Sequence, residues 1–127
     1  MIPWQSKAIV IGALAGAIGI HAAGAAEKFQ KLSGTQIRAQ FAGMQFTDEV
    51  HWGEIYEPNG RLVSEEMGRK RVGTWRIQKD QLCTEFGKDE GSNCYDVWMA
   101  GKKAQLRTPD SSDLPMEGVL ENPPKRR

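Results

Sequence analysis

The residues of this chain with the most obvious chemical reach are Cys83 and Cys94, set in the stretch GTWRIQKDQLCTEFGKDEGSNCYDVW with two of the four tryptophans. A thiol redox pair wants C-x-x-C spacing, which these two do not have. A zinc cage needs three or four ligands, and after the N-terminal segment only His51 is available to join the two cysteines. A lone histidine at the start of a strand reads as a surface residue. Triad catalysis needs a histidine base beside a signalled nucleophile, and no G-x-S-x-G elbow accompanies His51. The carboxylate pairs Glu65-Glu66 and Asp89-Glu90 border turns and read as solvated charge, although two-carboxylate hydrolysis is the one catalytic chemistry they leave open. No glycine-rich phosphate cradle is present. No catalytic residue, metal site or cofactor is therefore expected.

What the cysteines do depends on the elements that carry them. If QKDQ is a tight turn, Ile77 lies opposite Leu82 and Trp75 opposite Thr84. If the KDEGSN loop is symmetric, Cys83 lies opposite Cys94 and Leu82 opposite Tyr95. Because strand side chains alternate, both hairpins give one face to Trp75, Ile77, Leu82, Thr84, Tyr95, Val97 and Met99. The other face takes Thr74, Arg76, Cys83, Glu85, Cys94, Asp96 and Trp98. The first face is almost wholly apolar and is the expected core. The cysteines then fall as cross-strand neighbours on the opposite side, near enough for a disulfide. They read as a brace.

The rest of the chain follows the same pattern. LSGTQIRAQFAG predicts a short helix: Ser33 and Gln36 form a capping box, Leu32 and Ile37 a hydrophobic staple, and Gly43 a left-handed stop. From Met44 short strand-like runs alternate with turn clusters. HWGEIYE and RLVSEEM flank PNG, the composition of a type I turn with a glycine bulge. In that hairpin Trp52, Tyr56 and Leu62 share one face, and Ile55, Val63 and Met67 the other. GRKR, Gly68 to Arg71, reads as a basic connecting loop. The fold class is mainly β: an antiparallel meander curling into a small sandwich or partly closed barrel, with one short N-terminal helix. The domain is expected over residues 32–108, after a polar leader at 27–31. Pro109 to Arg127, with four prolines and a basic end, is expected to be a flexible tail.

Residues 1–26 differ in kind. Lys7 precedes the uncharged run AIVIGALAGAIGI, and HAAGAA supplies small residues at the expected cut, the order of a signal peptide. The apolar run is shorter than the roughly 20 residues of a spanning helix, so membrane attachment is expected only if the segment stays uncleaved. The expected location is periplasmic or secreted. Without Lys7 the 17 basic residues become 16, equal to the 16 acidic ones. A neutral chain argues against nucleic acid, whose phosphates are bound by an excess of Lys and Arg.

The candidate binding surface is Trp98 with Arg76, together with Trp52 and Tyr56, because an aromatic ringed by charge can anchor an interface. The helix LSGTQIR, the GTW strand and the Cys pair in LC and CY together resemble an uncharacterised family of small exported proteobacterial proteins. The resemblance spans about Leu32 to Leu106. It implies export, a lipocalin-like or related small β-fold and a disulfide, and it implies no activity. The expected function is an exported non-catalytic binding module acting on an envelope or secreted protein or a small ligand, with inhibition as one form of it. The alternative is an envelope accessory or structural protein held at the membrane.

Overall fold

In a computed structural model, residues 28–125 and Gly12 are described; the signal-peptide reading falls almost wholly outside them. The elements are β1 (Gln30–Lys31), α1 (Gly34–Phe41), β2 (Gln45–Thr47), β3 (Trp52–Tyr56), β4 (Arg61–Glu66), β5 (Arg69–Gln78), β6 (Gln81–Glu85), β7 (Ser92–Ala100), β8 (Lys103–Arg107) and β9 (Met116–Glu121). Strands β2 to β9 pair in chain order, each antiparallel to the next, and β9 returns to pair with β2. The meander is thus a closed eight-stranded up-and-down barrel, with β1 added to β7. Closure removes the free edges that an open sheet would expose.

The register of the opening stretch is as the alternation requires: Trp75 faces Thr84, Ile77 faces Leu82, Leu82 faces Tyr95 and Cys83 faces Cys94. The β5–β6 and β4–β5 turns are two-residue hairpins with positive φ at both central positions, Lys79-Asp80 and Met67-Gly68, the twist that suits paired strands. The second of these corrects the reading of GRKR as a loop. Only Gly68 turns, and Arg69 to Arg71 enter β5. At PNG, Gly60 takes φ +94° and donates its N–H to Glu57 O.

The segment expected to be a loose tail supplies β9. Its alternation, Met116, Gly118 and Leu120 inward against Glu117, Val119 and Glu121 outward, was hidden among prolines. Gly118 is required there, because a Cβ would meet Thr47 O at 2.6 Å. Gln30 and Lys31 of the polar leader likewise join the sheet. The domain is therefore wider than 32–108.

Helix α1 begins as expected. Ser33 Oγ accepts from the Gln36 N–H and the Gln36 side chain accepts from the Ser33 N–H. The helix plugs one end of the barrel. Ile37 and Phe41 are fully buried, and Phe41 meets the rings of Tyr56 and Phe46 at 5.1 and 5.9 Å. The Gly34 N–H donates to Asp80 Oδ1 at the β5–β6 turn, and Arg38 lies over Trp75. Behind the plug, Leu62, Trp75, Leu82, Val97, Met99, Leu106 and Leu120 fill the lumen. The outward positions include Arg61, Lys70, Arg76, Glu85, Gln105 and Glu117, so the barrel has the reverse polarity of one that faces lipid. Among the described residues no helix is long and apolar enough to cross a membrane.

Candidate functional site: the open end of the barrel

Cys83 and Cys94 are disulfide-bonded, with Cα atoms 4.0 Å apart. They sit on the outer wall in the row Arg76–Cys83–Cys94. The bond indicates an oxidising, non-cytoplasmic setting.

The four surface candidates do not come together. Arg76 is on the outer wall, bonded to Gln78 and Ser92 and 3.9 Å from the Glu85 carboxylate. Trp98 lies further along β7, half-buried between Lys31 and Gln105, with the Arg107 guanidinium 4.2 Å over its ring. Its face is already occupied. Trp52 and Tyr56 point the other way, into the lumen, and Tyr56 is wholly buried. The correction for Tyr56 has a simple cause. The shared face of Trp52, Tyr56 and Leu62 is the core face, and Phe41 from the plug covers the Tyr56 ring.

Alternation along β3 also turns Glu54 inward, between Trp52 and Tyr56. This is the residue the sequence reading passed over, although a carboxylate in the middle of WGEIY was its signal. Tyr56 Oη donates to Glu54 Oε2 at 2.6 Å. Burial raises the Glu54 pKa above its ordinary value and the like charge of Glu66 adds to the rise, while the Tyr56 hydrogen bond and Arg71 act in the opposite direction. Burial, then the Glu54 carboxylate, push Tyr56 well up, and the same two causes raise Tyr95. The lumen is therefore divided. Its plugged half is apolar, and its other half holds Glu54, Ser64, Glu66, Arg71 and Tyr95 on inward positions.

That second half opens between the β2–β3, β4–β5, β6–β7 and β8–β9 connections. Each of them brings a pair of carboxylates to the rim: Asp48 and Glu49, Glu65 and Glu66, Asp89 and Glu90, Asp110 and Asp113. The bases there are fewer, Arg69 to Arg71, Lys88 and Arg107. The plugged end has the opposite bias, with Lys28, Arg38, Arg61, Lys79, Lys102 and Lys103 against Glu57, Asp80 and Glu121. With a formal net charge of only +1, the molecule is polarised along its axis.

The rim is also apolar at its tips. Val50 on the β2–β3 loop is 78% exposed, Met67 on the β4–β5 turn 73%, and Leu114 on the β8–β9 loop 94%. The β2–β3 loop is held in shape by Asp48, whose carboxylate accepts from the N–H groups of Val50, His51 and Trp52 and meets the His51 ring at 2.8 Å. Partial desolvation acts against ionisation, but these donors hold Asp48 well below the usual carboxylate range. His51, the lone histidine among the described residues, is thus a loop fastener. Among the described residues no group of three or more His, Cys, Asp and Glu is placed to hold a metal ion.

Compared with known protein families, curated proteins and solved structures, the chain matches none of them.

Proposed function

We propose that this protein is an exported, non-catalytic binding module that docks on a basic protein of the cell envelope or its surroundings through the open end of the barrel. The observation that carries this reading is the rim, where Val50, Met67 and Leu114 stand exposed among four carboxylate pairs. Large apolar side chains held out on loop tips lose solvation energy that a partner surface recovers. Surplus rim carboxylate speeds encounter with a positively charged partner and disfavours anionic ones. The filled lumen around Trp75 and Met99 favours a protein over a small ligand enclosed by the barrel. Blocking the surface of a secreted basic enzyme is the inhibitor form of this function. The disulfide, the N-terminal sequence and the resemblance to small exported proteins support a periplasmic or secreted location.

Site-specific photocrosslinking in the native envelope tests the reading. A crosslinker at Val50, Met67 or Leu114 is expected to trap one defined basic protein, and a crosslinker at Lys79 or Lys102 to trap none. Adducts that form mainly from the plugged end, or an acidic captured partner, would overturn it.

A further inference from the structure

Strand β5 outruns one of its neighbours. β4 pairs with it from Arg69 to Thr74, whereas β6 pairs with it only from Thr74 to Gln78. The two-residue turns at Met67-Gly68 and Lys79-Asp80 make Glu66–Arg69 and Gln78–Gln81 hydrogen-bonded pairs, and such pairs recur at every second position. Counting from either turn gives the same result. Arg69, Arg71 and Gly73 bond to β4, while Lys70 and Val72 turn their main-chain N–H and C=O toward the β6 side. Trp75 keeps the same phase, donating its N–H to Gly60 O at the start of β4.

Past Glu85 the chain leaves the wall. A Cβ on Gly73, directed into the lumen, would run into Glu85 O and lie 2.8 Å from the Phe86 ring. That ring sits under the Arg71 guanidinium, which also pairs with Glu90. The β6–β7 loop therefore crosses the lumen side of β5 and does not run beside it. Among the described residues no main-chain group meets those that Lys70 and Val72 present, and Val72 is 51% exposed.

The side chains along this edge narrow what can cover it. Val72 ends an apolar row, Ile55–Val63–Val72, that crosses the outer wall. A strand carrying an apolar residue beside Val72 extends that row. Beside Lys70 the same strand meets a positive charge, which favours a carboxylate. A second copy of the chain fits poorly, because twofold pairing through Lys70 and Val72 would set Arg71 against Arg71. Charge on an edge is a device against such self-pairing.

We infer that the Lys70–Val72 edge of β5 accepts an extended segment of another protein as an added antiparallel strand, with an apolar residue beside Val72 and an acidic one beside Lys70. Main-chain bonds give such additions their affinity, and the alternate side chains give selectivity. The exposed loop tips supply none of these bonds, so the inference goes beyond the docking reading and stands apart from it.

The test uses the whole oxidised protein and the capped peptide Thr-Val-Ser-Glu-Thr, whose valine pairs with Val72 and glutamate with Lys70. NMR is expected to show saturable shifts of the Lys70 and Val72 amides and slower exchange of both protons. N-methylation then removes one peptide donor at a time. On valine or glutamate, whose N–H groups point at β5, it is expected to weaken binding about tenfold. On serine, whose N–H points away, it is expected to change binding by less than about twofold. Val72→Pro removes an N–H that β4 does not use, so the barrel is expected to keep its far-ultraviolet circular dichroism and lose the peptide. No saturable shift from the unmodified peptide, or equal affinities for the three N-methylated forms, would overturn the inference without any variant having to fold. Dimerisation of the protein alone that protects the Lys70 and Val72 amides would also overturn it, by giving the edge to a second copy.

Discussion

Breaking the Cys83–Cys94 bond gives the sharpest quantitative test of the fold. The two cysteines are 11 positions apart and stand opposite one another in a β6–β7 ladder that backbone hydrogen bonds also hold. The bond therefore acts chiefly on the unfolded chain, from which it removes loop conformations. The loop-entropy relation for a closure of this size gives about 3 kcal/mol, and for a domain near 100 residues that corresponds to a fall of roughly 12–24 °C in Tm. The same loss moves a urea midpoint by roughly 1–3 M. Cys83 is fully buried, so reduction must be carried out on unfolded protein that is then refolded under reductant. Thermal and urea unfolding of the oxidised protein, the reduced protein and the Cys83→Ala, Cys94→Ala variant are the assays. The reduced and alanine forms are expected to keep the oxidised far-ultraviolet circular dichroism and to share the lower stability. A loss under about 1 kcal/mol would refute the brace. Complete unfolding on reduction would refute the complementary claim that the β5–β7 register and the core hold the strands without it.

Three other outcomes are expected. Phe41→Ala removes the ring that plugs the barrel against Tyr56 and Phe46, and urea unfolding is expected to show a loss of about 3–5 kcal/mol. Glu54→Gln has a pH signature. Because the folded protein holds this carboxyl above its ordinary value of 4.5, the unaltered protein is favoured at low pH and loses that advantage as pH rises through the raised value. Glutamine does not titrate. The variant should therefore gain on the unaltered protein as pH rises above the ordinary value of 4.5, and a variant-minus-unaltered difference in urea midpoint that stays constant or falls would count against the buried carboxylate. Ending the chain after Arg107 removes β9 and leaves β2 and β8 as bare edges, so size-exclusion chromatography is expected to show association in place of a monomeric barrel. If that truncated chain elutes as a stable monomer, the closing role of β9 is wrong.

Local chemistry alone was enough for much of this protein. The S-x-x-Q cap, the PNG bulge and the tight turn at Lys79-Asp80 are decided by neighbours within a few residues, and strict two-residue alternation then dictates which side chains share a wall. That is why the Cys83–Cys94 pairing and the core face of Trp75, Leu82, Val97 and Met99 were legible in the sequence. The sequence reading could say that Trp52 and Tyr56 share a face, but not which side of the wall that face would be. Inside and outside are settled only when β9 meets β2 and α1 fills one end, contacts between residues far apart in the chain. The same closure turned Tyr56 from a candidate surface into core, covered Trp98 with Arg107, and brought Glu54, Glu66 and Arg71 to one mouth. It also divided a chain of net charge +1 into an acidic open end and a basic plugged one. Charge order along a strand is local, but which loops gather at an end follows from the barrel's up-and-down closure, and no stretch of sequence contains that alone.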